Sequence, residues 1–194
     1  MNAAVTKEVI YMKSNSKLIK MILAALFLAL AYIMPFLTGQ IPDIGAMLCP
    51  MHIPVLLCGF VCGWPWGLLV GFIAPLLRSF LTGGFPPIFP TAVAMAFELA
   101  AYGAVSGLMH KILPKKRPYI YCSLVIAMAV GRAAWGIATA ICLGISGKAF
   151  GIEAFFAGAI VNAIPGIALQ IVLVPVIVMI FEKIAYNNRK SDSN

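Results

Sequence analysis

Apolar runs about twenty residues long alternate with short polar breaks along most of the chain, and the breaks are rich in Gly and Pro. Each run is long enough to cross the ~30 Å hydrocarbon layer as a helix. Six spans are predicted, at residues 18–37, 47–63, 66–81, 90–112, 119–143 and 154–184. Pro35 and Gly39 end the first, and the tight turn at Trp64-Pro65 joins the second to the third. The stretch Thr82-Gly83-Gly84-Phe85-Pro86-Pro87 separates the third from the fourth, and Pro118 precedes the fifth. The sixth is longer than one crossing requires, so it is expected to tilt or to project into water.

Charge turns this pattern into a topology. Eleven of the fourteen Lys and Arg fall in three clusters: Lys7/Lys13/Lys17/Lys20, Lys111/Lys115/Lys116/Arg117 and Lys183/Arg189/Lys190. Six spans with the N-terminus inside place every cluster on the cytoplasmic side, as the positive-inside rule requires. Five or seven spans would strand one cluster outside. The expected fold is an all-α integral membrane protein with six transmembrane helices, both termini cytoplasmic, forming a single membrane domain over 1–194. The first apolar run is read as a retained helix rather than a signal peptide, because it is long for an h-region and its removal would leave an odd number of spans.

Composition agrees, with 62% of residues hydrophobic and 10% charged, against roughly 45–50% and ~25% in soluble domains. The net charge of +8 flanks the spans instead of forming one stripe, so it faces anionic lipid and not nucleic acid. The five cysteines form no C-x-x-C pair, and Cys58 and Cys62 sit four apart in an apolar run. Neither a metal site nor a disulfide is expected. No stretch is left for a soluble domain, so an ATPase would be another chain.

Polar residues inside the spans are costly and mark function. Arg78 falls near the outer end of the third span, Glu98 about two turns into the fourth, Arg132 mid-way along the fifth and Asn162 about two turns into the sixth. Trp135 shares a helix face with Arg132, and His52 opens the second span. All lie in the outer half or the middle of the membrane. Glu98 is the only acidic residue within the apolar core and pairs most simply with Arg132 or Arg78. One guanidinium is then left for a bound anion, which arginine grips with a planar fork.

Glycines at 59, 63, 67 and 71 recur every fourth position and are read as helix packing, with a flexible joint as the alternative. In the first span, Ala25 and Ala29 form a small-xxx-small pair suited to close helix contact, internal or with a partner. Ser106 and His110, four apart, are the sole nucleophile–base candidate for an intramembrane enzyme, and they lack a third member. No Walker, dinucleotide or H-E-x-x-H motif occurs. A stand-alone secondary transporter would be expected to show internal repeats, and the two halves are not alike.

The segment Ala24-Ala25-Leu26-Phe27-Leu28-Ala29 and the run from His52 through Gly59, Gly63 and Pro65 to Gly67 resemble the S components, the substrate-binding membrane subunits of energy-coupling factor (ECF) vitamin transporters. The resemblance covers nearly the whole chain. It implies a subunit of a bacterial plasma membrane that captures a vitamin from outside beneath lids formed by the outer loops. That subunit then associates with a transmembrane coupling subunit and two ATPase subunits and topples to release its cargo inside. No cofactor is implied. Ala25 and Ala29 would face the coupling subunit, and Arg78, Arg132, Glu98, Asn162, His52 and Trp135 the substrate. Excess arginine favours a carboxylate, pantothenate before folate, niacin or lipoate. Riboflavin is less favoured, because one tryptophan makes a thin clamp for a flavin.

Overall fold

The computed structural model describes residues 3–37, 50–114, 116–147, 151–159 and 163–191. Seven α-helices run through them: α1 (Ala3–Leu37), α2 (His52–Cys62), α3 (Trp64–Leu81), α4 (Val93–Ile112), α5 (Arg117–Ile145), α6 (Ile152–Ala159) and α7 (Ile164–Ser191). No strand occurs among the described residues. Five helical stretches are long and apolar enough to cross a membrane: Lys17–Phe36, Trp64–Leu81, Ile88–Ile112, Arg117–Ile145 and Ile164–Ile184.

Local sequence explains the element ends. Gly63 adopts φ 97° between α2 and α3, a left-handed conformation that side chains resist. Proline follows within the first turn of α3 and of α5, where a missing N–H removes no helical bond. Two differences from the expected spans stand out. The second, expected at 47–63, is described as the eleven-residue helix α2, with 47–49 outside the described residues. The sixth, expected as one long helix over 154–184, is described as the short α6 followed by α7, with 160–162 outside the described residues.

The helix α4 is central and packs against α2, α3 and α5, while α1 lies on α2 and α3, and α7 on α2 and α5. Lipid is as apolar as leucine, so helices in a membrane associate through close packing and not through hydrophobic burial. The glycines supply that packing here. A Cβ on Gly67 or Gly103 would overlap the other residue's main chain, one on Gly71 would strike Leu99, and one on Gly107 would strike Trp64. The stripe read from the sequence is therefore a backbone-to-backbone seam of α2 and α3 against α4.

Outward faces are apolar and inward faces hold the polar groups. Leu26, Phe80, Ile112, Ile137 and Val172 are exposed, whereas His52, Ser79, Glu98, Ser106, Ser123 and Gln170 are buried. This inversion suits a lipid solvent. The chain is an all-α, multi-pass membrane protein.

Candidate functional site

Glu98 organises the site. It projects from α4 and is 2% exposed, with Arg132 Nη1 of α5 2.8 Å from its Oε1 and His52 Nε2 of α2 3.2 Å from the same atom. Three helices thus converge on one carboxylate oxygen. Neither donor is aligned for a hydrogen bond to that oxygen, so the contacts are electrostatic and leave room for adjustment. A charged pair this deep is held by its mutual attraction, and removing either member would strand the other.

Tyr102, one turn along α4 from Glu98, completes the cluster. Its fully buried ring meets the His52 ring edge-on, with centroids 4.9 Å apart. Gly131 lets the ring approach α5 closely, because a Cβ there would overlap it. Tyr102 is absent from the residues expected from sequence, although its spacing of four from Glu98 places both on one face.

Arg78 stands apart. Its Nη1 lies 3.5 Å from Met51 Sδ, and its guanidinium carbon sits 5.8 Å from the centre of the Phe85 ring. Its Nε is buried without a hydrogen-bond partner, and no carboxylate pairs with it among the described residues. The loop after α3 is tied back onto the same helix end. Ser79 Oγ donates to Pro86 O (2.6 Å), Gly84 N donates to Ser79 O (2.7 Å), and Thr82 Oγ1 lies 2.7 Å from Arg78 O and close to Phe85 O.

Trp135 stacks on Phe155 of α6 at 6.3 Å, and Gly158 fits against its indole, so it fastens α6 to α5. Asn162 lies outside the described residues. Ala25 and Ala29 are exposed on α1, whose inner face is Ala24, Phe27 and Ala31. Ser106 Oγ is directed at the main-chain carbonyls of Gly103 (3.2 Å) and Leu56 (3.5 Å). His110 Nε2 instead lies 3.3 Å from Glu182 Oε1 on α7, with its ring edge-on to Phe60. Serine and histidine are thus directed to different partners. No group of three His, Cys, Asp or Glu side chains suited to a metal occurs among the described residues.

A family model described as "ECF transporter, substrate-specific component" matches residues 19–178. The chain belongs to this family. The match takes in every residue of the Glu98 cluster, Arg78 and the alanines of α1, and it makes the protein a membrane transport subunit that binds a small-molecule substrate and works with membrane-embedded ECF partners. The family is one of transporter substrate-binding subunits and not of enzymes. No curated protein and no solved structure matches the chain.

Proposed function

We propose that this S component captures a small carboxylate vitamin, pantothenate in preference to folate, niacin, lipoate or riboflavin, for ATP-driven import across a bacterial plasma membrane. The carrying observation is the division of labour between two arginines. Arg132 is neutralised by Glu98, whereas Arg78 meets the Met51 thioether and the Phe85 ring and has no carboxylate pairing it among the described residues. A guanidinium in that setting is stabilised by a bidentate anion. The substrate's carboxylate therefore docks at Arg78, at the foot of the loop after α3. His52, Tyr102, Trp135 and the Glu98–Arg132 pair form the wall beneath it, and Asn162 is a further contact. Arg132 orients this wall through Glu98.

In this reading the chain crosses the membrane six times within one domain, both termini inside, and the loops after the first and third spans are the lids. The exposed Ala25 and Ala29 form the face that meets the transmembrane coupling subunit, which in turn engages two ATPase subunits. Ala25→Leu then leaves substrate affinity of the isolated protein unchanged and abolishes uptake in cells holding the whole transporter. Lost affinity in the isolated variant would remove the docking role.

The test of the substrate class is native mass spectrometry of the detergent-purified chain from cells grown in rich medium. A co-purifying carboxylate vitamin is expected. An apo spectrum with no thermal shift from a panel of carboxylate vitamins would overturn the assignment.

A further inference from the structure

Gln170 of α7 is 0% exposed, yet neither its Oε1 nor its Nε2 has a hydrogen-bond partner among the described residues. A buried carboxamide with both ends unmet is strongly disfavoured unless something polar reaches it. Its helix neighbours explain the burial: Gly166, Gln170, Val174 and Val178 form the inward stripe of α7. An aliphatic side chain would suit that stripe better, so the amide needs its own explanation.

Helix register shows what lies at its depth. His110 of α4 meets Glu182 of α7, and each helix runs twelve residues back from there, to Glu98 and to Gln170 respectively. At 1.5 Å per residue both points lie about 18 Å from the pinned end. Gln170 is therefore level with the Glu98, His52 and Arg132 cluster. A second level lies nearer the outer surface. Gly71 of α3 abuts Leu99 and Arg132 of α5 abuts Glu98. Arg78 and Thr139 each stand seven residues beyond those contacts, about 10 Å further out. Thr139 Oγ1 is also buried without a partner among the described residues.

We infer that Gln170 is a substrate-binding residue that holds the neutral, hydrogen-bonding end of an elongated monocarboxylate whose charged end rests at Arg78, about 10 Å nearer the outer surface. The inference rests on the carboxylate reading above and narrows it. An amide or hydroxyl can both donate to and accept from a carboxamide, meeting its two idle atoms at once. A carboxylate with a wholly apolar tail leaves Gln170 unmet, and a single-ring carboxylate is too short to reach both levels. Sites built to hydrogen-bond a ligand group reject analogues lacking it far more strongly than apolar pockets reject a methylene.

The experiment is titration calorimetry of the purified full chain with pantothenate, lipoate and nicotinate, for the wild type and Gln170→Met, with apo melting curves. Methionine matches the volume without the amide. Pantothenate is expected to bind the wild type at least about a hundredfold more tightly than the other two. Gln170→Met should weaken pantothenate roughly tenfold to a hundredfold and raise the apo Tm by about 2–4 °C. A merely structural glutamine would not show these opposite signs. Lipoate binding as well as pantothenate, or Gln170→Met binding pantothenate within about twofold of the wild type, overturns the role of Gln170 and leaves the carboxylate reading standing. Failure of all three carboxylates to bind the wild type removes both. Should Gln170→Met not fold, Gln170→Asn, which withdraws the amide by one methylene, must still lose pantothenate affinity, and unchanged affinity is the overturning result.

Discussion

The two halves of α4 meet their neighbouring helices under opposite rules. From Gly103 to Gly107 it meets α2 and α3 backbone to backbone, and the one buried hydroxyl there, Ser106, is directed at main-chain carbonyls. Two turns away, Glu98 meets Arg132 of α5 and His52 of α2 in contacts that are close but poorly aligned, and the Tyr102 ring meets the His52 ring edge-on. One half has no room and little left to satisfy. The other is polar, and both ring nitrogens of His52 and Oε1 of Glu98 lack an aligned hydrogen-bond partner among the described residues. In the proposed function the first half holds the helices in place and the second meets the substrate.

Breaking the seam should have the largest effect. Gly103→Leu drives a side chain into the Gly67 main chain, which cannot swing aside as a side chain does, so the penalty exceeds the ~1–3 kcal/mol of ordinary overpacking. Size-exclusion chromatography should show no monodisperse protein, and a well-folded variant would disprove the seam. Next comes Arg132→Ala, which leaves Glu98 buried beside His52 alone. A loss of about 3–5 kcal/mol is expected, read as a Tm drop of roughly 10 °C, and a drop under about 2 °C would show the pair to be solvated. Glu98→Gln in the same chain should restore part of that loss.

Arg78→Ala sharpens the contrast, because it removes a charge without an acid partner among the described residues. The apo Tm should hold or rise, while substrate Kd climbs roughly a hundredfold, about 2.7 kcal/mol. A large fall in apo Tm with unchanged affinity would make Arg78 structural. Smallest is Glu182→Gln. Its carboxylate is 40% exposed opposite His110, so about 1 kcal/mol or less is at stake, and thermal melts should move by no more than about 3 °C.

Charge placement was the most readable property of the sequence. Lys and Arg clusters bracketed the apolar runs, and the requirement that Glu98 meet an arginine anticipated its contact with Arg132. The glycine stripe was visible, but Gly103 and Gly107, which receive it, were not, because their partners lie some forty residues away in another helix. His52 showed the same blindness at longer range, since a residue that opens a span gives no sign of which carboxylate it will meet. Gln170 escaped notice for a simpler reason: it is uncharged in an apolar run, so a search for intramembrane charge passes over it.

The ties between Ser79, Thr82 and the loop ending at Pro86 carry a kinetic meaning. Arg78 lies among the residues to which that loop is fastened and also beneath Phe85, a residue of the loop itself. In the proposed function, a carboxylate docked at the edge of the Arg78 guanidinium lies beside the Phe85 ring, so occupancy and the position of the loop are coupled at one side chain. In that reading, substitutions in the loop should change the residence time of the cargo.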